Sequence, residues 1–136
     1  MNTIAALKSK FPVGNLDHLL EDIEIPVLTG ANAQGDLSWY PDLSSKATNF
    51  QPIPSGGEII LSGNNGHPHT LFSMSGECLL SRNPSAQEQQ LGTVVVPEGG
   101  LLLVGHNEHG YHIIGEGTYI FNRSREMRDE IILLAD

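Results

Sequence analysis

From Gly35 onward, the chain alternates short apolar runs with breaks rich in glycine and proline. Many short strands at spacings of about 8–12 residues are typical of an antiparallel sandwich or barrel. Breaks such as Ser75-Gly76 and Pro97–Gly100 contain the residues that favour β-turns. The pattern therefore predicts nine strands, at Asp36–Tyr40, Glu58–Ser62, Thr70–Met74, Glu77–Ser81, Thr93–Val96, Leu101–Val104, Tyr111–Ile114, Thr118–Asn122 and Glu130–Leu134.

The first 33 residues have a different pattern. Apolar residues recur there at helical spacing, first around Ile4 and Leu7 and then from Leu16 to Ile23. Asn15 has the side chain of a helix N-cap. A small polar segment at 30–35 then precedes the strands. We predict a helical appendage over residues 1–33, either packed on the main domain or extended toward a partner, and one all-β domain over 34–136. The expected fold is a single antiparallel β-barrel or sandwich with a short N-terminal helical extension.

The composition narrows the classes of function. The chain has 136 residues, is 39% hydrophobic and carries a net charge of −9. This hydrophobic content is enough for a packed core, and the excess of acid argues against a nucleic-acid partner, because phosphate binding depends on clustered Lys and Arg. No apolar run approaches the roughly 20 residues of a membrane helix. The single cysteine, Cys78, fits a reducing compartment, so we expect a cytoplasmic protein without a membrane partner.

Five of the six histidines fall between positions 67 and 112. His67 and His69 are two residues apart, and residues at i and i+2 of an extended chain point to the same face. Pro68 favours an extended conformation at His67 and places the pair at the edge or entrance of a strand. Both imidazoles could thus approach one ion.

A second group of ligand-type side chains follows in the segment GHNEHGYH, which supplies His106, Glu108, His109 and His112. Imidazole with a carboxylate is a common ligand set for zinc, nickel and iron. Two histidine pairs on neighbouring strands would converge on a centre of three or four ligands for such a divalent transition metal. The alternative is that these histidines form hydrogen bonds to backbone groups at turns and bind no ion.

The order of some of these residues resembles that of the cupins. The resemblance is carried by His67-x-His69, then Glu77, the segment GTVVVPEGG and His106. In cupins an HxH pair, a glutamate and a distant histidine hold a metal inside a barrel. We take the resemblance as one of architecture, which favours a cupin-like barrel.

A closer resemblance covers residues 34–136. The chain is similar to a family of small, uncharacterised bacterial and phage-associated proteins whose motifs run QGD, GHxH, HxEH, GxY and QREY. On that resemblance His67, His69, His106 and His109 fall at motif positions, with Glu108 beside them, while His112 and His18 match no motif position. We therefore keep these four histidines and Glu108 as the candidate metal ligands. The matching segments here are QGD at 34–36, GHPH at 66–69, HNEH at 106–109, GTY at 117–119 and RSREM at 123–127.

Two functions are compatible with these features. The first is a metal-binding, cupin-like β-domain with a histidine-cluster site. The second is a non-enzymatic binding or assembly module that forms a homo-oligomer, in which the histidines are structural. The sequence presents no nucleophile elbow and no phosphate-binding loop, so it leaves the enzymatic status and any small-molecule ligand open.

Overall fold

The computed structural model describes residues 2–14, 21–62, 67–84 and 89–124. Within these residues the chain forms one helix, α1, at Ile4–Lys10 and eleven strands. The strands β1 to β11, in chain order, are Val27–Leu28, Asn32–Gln34, Leu37–Pro41, Gln51–Pro52, Glu58–Ser62, Pro68–Ser75, Leu79–Arg82, Gln90–Val96, Leu101–His106, Gly110–Ile114 and Gly117–Arg123. In this part of the chain no helix is long and apolar enough to cross a bilayer.

The strands form two sheets. Sheet A has the order β1-β10-β9-β6-β5, and sheet B has the order β2-β3-β11-β8-β7-β4. All the described strand pairs are antiparallel except β1 with β10. The architecture is therefore a sandwich of two mainly antiparallel sheets.

The barrel alternative is wrong, because no described strand pair joins an edge of sheet A to an edge of sheet B. The edge strands are unsuited to closing a barrel. β1 and β4 are only two residues long, and β4 ends at Pro52, which has no backbone N–H to donate. At the other edge of sheet A, the pairing of β5 with β6 shifts its register between Ile59 and Leu61.

The main core lies between the sheets. On β9 the side chains of Leu102 and Val104 are fully buried there, because alternate residues of a strand point to the same face. From sheet B, Trp39 stacks on Phe121 with ring centroids 5.4 Å apart. Full burial of an aliphatic side chain such as Leu102 or Val104 stabilises the fold by about 1.5–3 kcal/mol.

A second apolar cluster lies on the outer face of sheet A, under α1. Thr3 caps the helix, since its hydroxyl accepts a hydrogen bond from the N–H of Ala6 at 3.2 Å. The hydroxyl of Tyr111 donates to the backbone oxygen of Phe11 at 2.5 Å, which ties the end of the helix to the sheet. The described part of the N-terminal region is thus packed on sheet A. The buried members of this cluster are Leu7, Phe11, Phe72, Leu103, Tyr111 and Ile113.

Eight of the nine predicted strands overlap observed ones, and Glu130–Leu134 lies outside the described residues. The second predicted helix falls partly on residues 15–20, which are also outside them. Ile23, the last apolar position of that predicted helix, lies instead in a non-helical segment whose backbone supports α1. The backbone oxygen of Ile23 accepts from the N–H of Ile4 at 3.2 Å, and so satisfies a donor of the first helical turn. The division at residue 33 stays a prediction.

Candidate metal centre

Two neighbouring strands of sheet A bring two buried histidines together at one end of the space between the sheets. His69 is the second residue of β6, and His106 is the last residue of β9, which pairs with β6. Their ring centroids are 4.4 Å apart. Both side chains are almost fully buried, so the two strands place paired imidazoles in the interior.

The turn after β9 is held by the ring of His106. Its Nδ1 accepts hydrogen bonds from the backbone N–H groups of Glu108, at 3.0 Å, and His109, at 3.2 Å. This turn places the ring of His109 with its centroid 4.7 Å from that of His106. Because Nδ1 accepts both bonds, the ring proton of a neutral His106 is on Nε2.

The outer rim of the cluster consists of His67 and Glu108. His67 immediately precedes β6, and its Nδ1 lies 3.0 Å from Oε1 of Glu108. Both side chains are partly exposed, at 37% for His67 and 51% for Glu108. Ligand atoms of His67, His106 and Glu108 all lie within 4.8 Å of one another, which is close enough for one ion to gather them.

The inner part of the cluster includes Gln34, the last residue of β2, and Asp36, in the turn that follows. The Nδ1 of His69 lies 2.9 Å from Oε1 of Gln34, and its Nε2 lies 2.7 Å from Oδ1 of Asp36. Gly35, between them, has a positive φ of 62°, and a Cβ at this position would lie 2.8 Å from Nε2 of His109. Glycine is thus required here both by the backbone conformation and by the neighbouring ring.

Residues 33–124 match the model of a family described as a domain of unknown function, DUF8820. The chain belongs to the DUF8820 family. No curated protein and no solved structure matches the chain. The expectation of an uncharacterised family is confirmed at this level, while the motif set and the likeness to cupins stay predictions.

Burial favours the neutral form of two histidines of the DUF8820 domain. It lowers the pKa of His69, although the carboxylate of Asp36 opposes this effect. Burial also lowers the pKa of His106 from 6.5 to about 4, and the neighbouring rings of His69 and His109 add to the decrease. Both shifts favour the neutral ring, and a neutral ring has the nitrogen lone pair that binds metals.

All five residues predicted as ligands lie in the described part of the DUF8820 domain. His67, His106 and Glu108 come within ligand distance of one another, His69 contacts Gln34 and Asp36, and His109 lies beside His106. Their role as metal ligands stays a prediction. Glu77 does not join them, since it is exposed beyond the opposite end of β6, and His18 lies outside the described residues.

Sequence reasoning missed Gln34 and Asp36 as neighbours of these histidines, and the structure also places His112 in contact with Gln34. Gln34 connects two histidines, because its Nε2 lies 2.9 Å from Nδ1 of His112 while its Oε1 faces His69. Burial lowers the pKa of His112 as well. The available signal was the QGD segment at 34–36, which the family resemblance had marked but which has no ligand pattern of its own.

Proposed function

We propose that this chain is a β-sandwich domain that binds a divalent transition metal, namely zinc, nickel or iron, at the histidine cluster. The observation that carries the proposal is the approach of His67, His106 and Glu108, whose ligand atoms lie within 4.8 Å of one another. Two imidazoles and a carboxylate suit these metals. The excess negative charge of the chain also favours a cation.

The rim residues are the first contacts for an incoming ion. His67 and Glu108 are both partly exposed, so an ion can reach them from solvent. Nδ1 of His67 and Oε1 of Glu108 lie 3.0 Å apart, so an ion that replaces the proton between them would be held by both atoms.

His106 contributes in one of two ways, which can be separated by experiment. If His106 is a ligand through Nδ1, the ion must displace the two backbone N–H groups that now donate hydrogen bonds to this atom. If it only holds the turn, an asparagine side chain can replace it, since Oδ1 of asparagine can accept the same bonds. His106→Asn is therefore expected to abolish binding in the first case and to preserve it in the second.

Metal analysis of protein purified without a nickel column and without a histidine tag tests the proposal. We expect close to one equivalent of a transition metal per chain, and a rise in melting temperature when Zn²⁺, Ni²⁺ or Fe²⁺ is added to the metal-free protein. His67→Ala and Glu108→Gln are each expected to weaken binding at least tenfold in calorimetry.

Glu98→Gln is the matched control for Glu108→Gln, because Glu98 is an exposed glutamate in the turn between β8 and β9. This variant is expected to bind like the wild type. Metal content far below one equivalent, together with no thermal shift for any of the three ions, would contradict the proposed function.

A further inference from the structure

The side-chain amide of Gln34 has a fixed orientation. Its Nε2 lies 3.1 Å from the backbone oxygen of Val104 and 3.3 Å from that of Gly110. Carbonyl oxygens only accept hydrogen bonds, so the NH₂ group of the amide must face them. Gln34 is 2% exposed, which means that these contacts are made within the protein interior. The oxygen of the amide, Oε1, must then face His69.

This orientation determines which nitrogen of His69 carries a proton. Oε1 of Gln34 accepts, so Nδ1 of His69, at 2.9 Å, must donate. The other ring nitrogen, Nε2, faces the carboxylate oxygen Oδ1 of Asp36 at 2.7 Å, and His69 is fully buried. Two polar atoms this close, one of them on a carboxylate, require a cation between them, which is either a second ring proton or a metal ion.

We propose that His69 Nε2 and the carboxylate of Asp36 share a bound divalent transition metal, and that Gln34 is the positioning residue that keeps the ring proton of His69 on Nδ1. This inference rests on the proposed function and adds a second pair of candidate ligands beside the group of His67, His106 and Glu108. Metal-binding histidines typically donate their other N–H to an oxygen acceptor, and here that acceptor is the amide of Gln34.

The ion requires only a small local movement. With bonds of about 2.0–2.1 Å, two ligands of a tetrahedral zinc ion stand about 3.3 Å apart. The ion would therefore separate Nε2 and Oδ1, now 2.7 Å apart, by roughly half an ångström. Asp36 follows Gly35, and the ring of His109 packs against Gly35. A further imidazole therefore lies near Asp36. The QGD segment thus supplies a ligand, a turn that admits His109 and a positioning amide.

The tautomer can be read directly from the metal-free protein by nitrogen-15 NMR of the histidine rings. We expect a protonated Nδ1 at His69 in the wild type. In Gln34→Met the acceptor is lost while the length of the side chain is kept, so the proton should move to Nε2 and face Asp36. Asn32→Ala, an exposed position on the same strand, should leave the ring signals unchanged.

Zinc titrations of the same proteins test the ligand assignment. Asp36→Asn is expected to keep the Nδ1–H tautomer and to lower zinc affinity about 10–100-fold, and Gln34→Met to lower it by a similar factor. An unprotonated Nδ1 in the wild type would overturn the role of Gln34, even if Gln34→Met fails to fold. Wild-type zinc affinity in Asp36→Asn would overturn the shared ion.

These outcomes are distinguishable from failure of the proposed function. A wild-type protein that binds none of the three metals, yet has both ring nitrogens of His69 protonated, would overturn the metal at this pair and the proposed function together. The shared cation would then be a proton, and the assignment of Nδ1–H to Gln34 would still hold.

Discussion

The two ends of the space between the sheets are built from the same strands but differ in chemistry. On β9, Val104 faces the interior in the apolar core, and His106 faces the same side at the end of the strand. On β6, His69 precedes Leu71 with the same spacing. At the apolar end the side chains make van der Waals contacts, which have no strong directional preference. At the histidine end the rings of His69 and His106 are held by directional hydrogen bonds and by contact with each other.

This difference determines what each end tolerates. Apolar contacts are roughly interchangeable when volume is kept, whereas a buried polar group that loses its partner costs about 1–3 kcal/mol. The apolar end therefore supports stability, and the histidine end supports a specific arrangement of donor atoms. Substitutions at the two ends should separate stability from metal binding.

The largest effect on stability is expected at the apolar end. Leu102 is fully buried in the main core, so Leu102→Ala should leave a cavity and destabilise the fold by about 3 kcal/mol in urea denaturation. Leu101→Ala is the matched control, since the neighbouring side chain is only partly buried on the outer face and should cost about 1 kcal/mol. Zinc affinity should not change in either variant. Loss of zinc binding in Leu102→Ala would contradict the separation of the two ends.

An intermediate effect is expected at the turn between β2 and β3. Gly35 and Gly99 both have positive φ, at 62° and 73°, so alanine at either position carries the cost of a left-handed conformation, about 1–2 kcal/mol. Only at Gly35 would the new Cβ meet a side chain, the ring of His109, whereas nothing lies within 4 Å at Gly99. Gly35→Ala should therefore be the less stable variant and should also weaken zinc binding. Equal stability and equal affinity of the two variants would show that the contact with His109 is unimportant.

The sequence was informative about the apolar end and less so about the histidine end. Strands such as Glu58–Ser62 were predicted correctly, because alternation and turn residues are local signals. The convergence of HxH with the HNEH segment could be expected from two adjacent strands. The contacts of Gln34 and Asp36 with His69 could not, because they join residues more than 30 positions apart through a turn whose geometry depends on Gly35. Nor could periodicity decide between a barrel and a sandwich, since both have the same alternation.

The smallest effect is expected from pH, and it distinguishes a buried neutral histidine from an exposed one. The pKa of His106 is lowered from 6.5 to about 4 by burial and by the rings of His69 and His109, while the carboxylate of Glu108 opposes the change. Between these two values the unfolded chain binds a proton that the folded chain does not, so stability must fall as the pH falls from 6.5 toward 4. For metal-free protein we expect a loss of about 1–2 kcal/mol over this range, after allowance for solvent screening. Urea denaturation at several pH values measures this loss.

The variant His106→Asn should keep the turn and show a smaller slope of unfolding free energy against pH. The slope that remains comes from His69 and His112, whose pKa values are also lowered. A slope equal to that of the wild type would mean that His106 is protonated as readily in the folded chain as in the unfolded one, and that the histidine end is open to water.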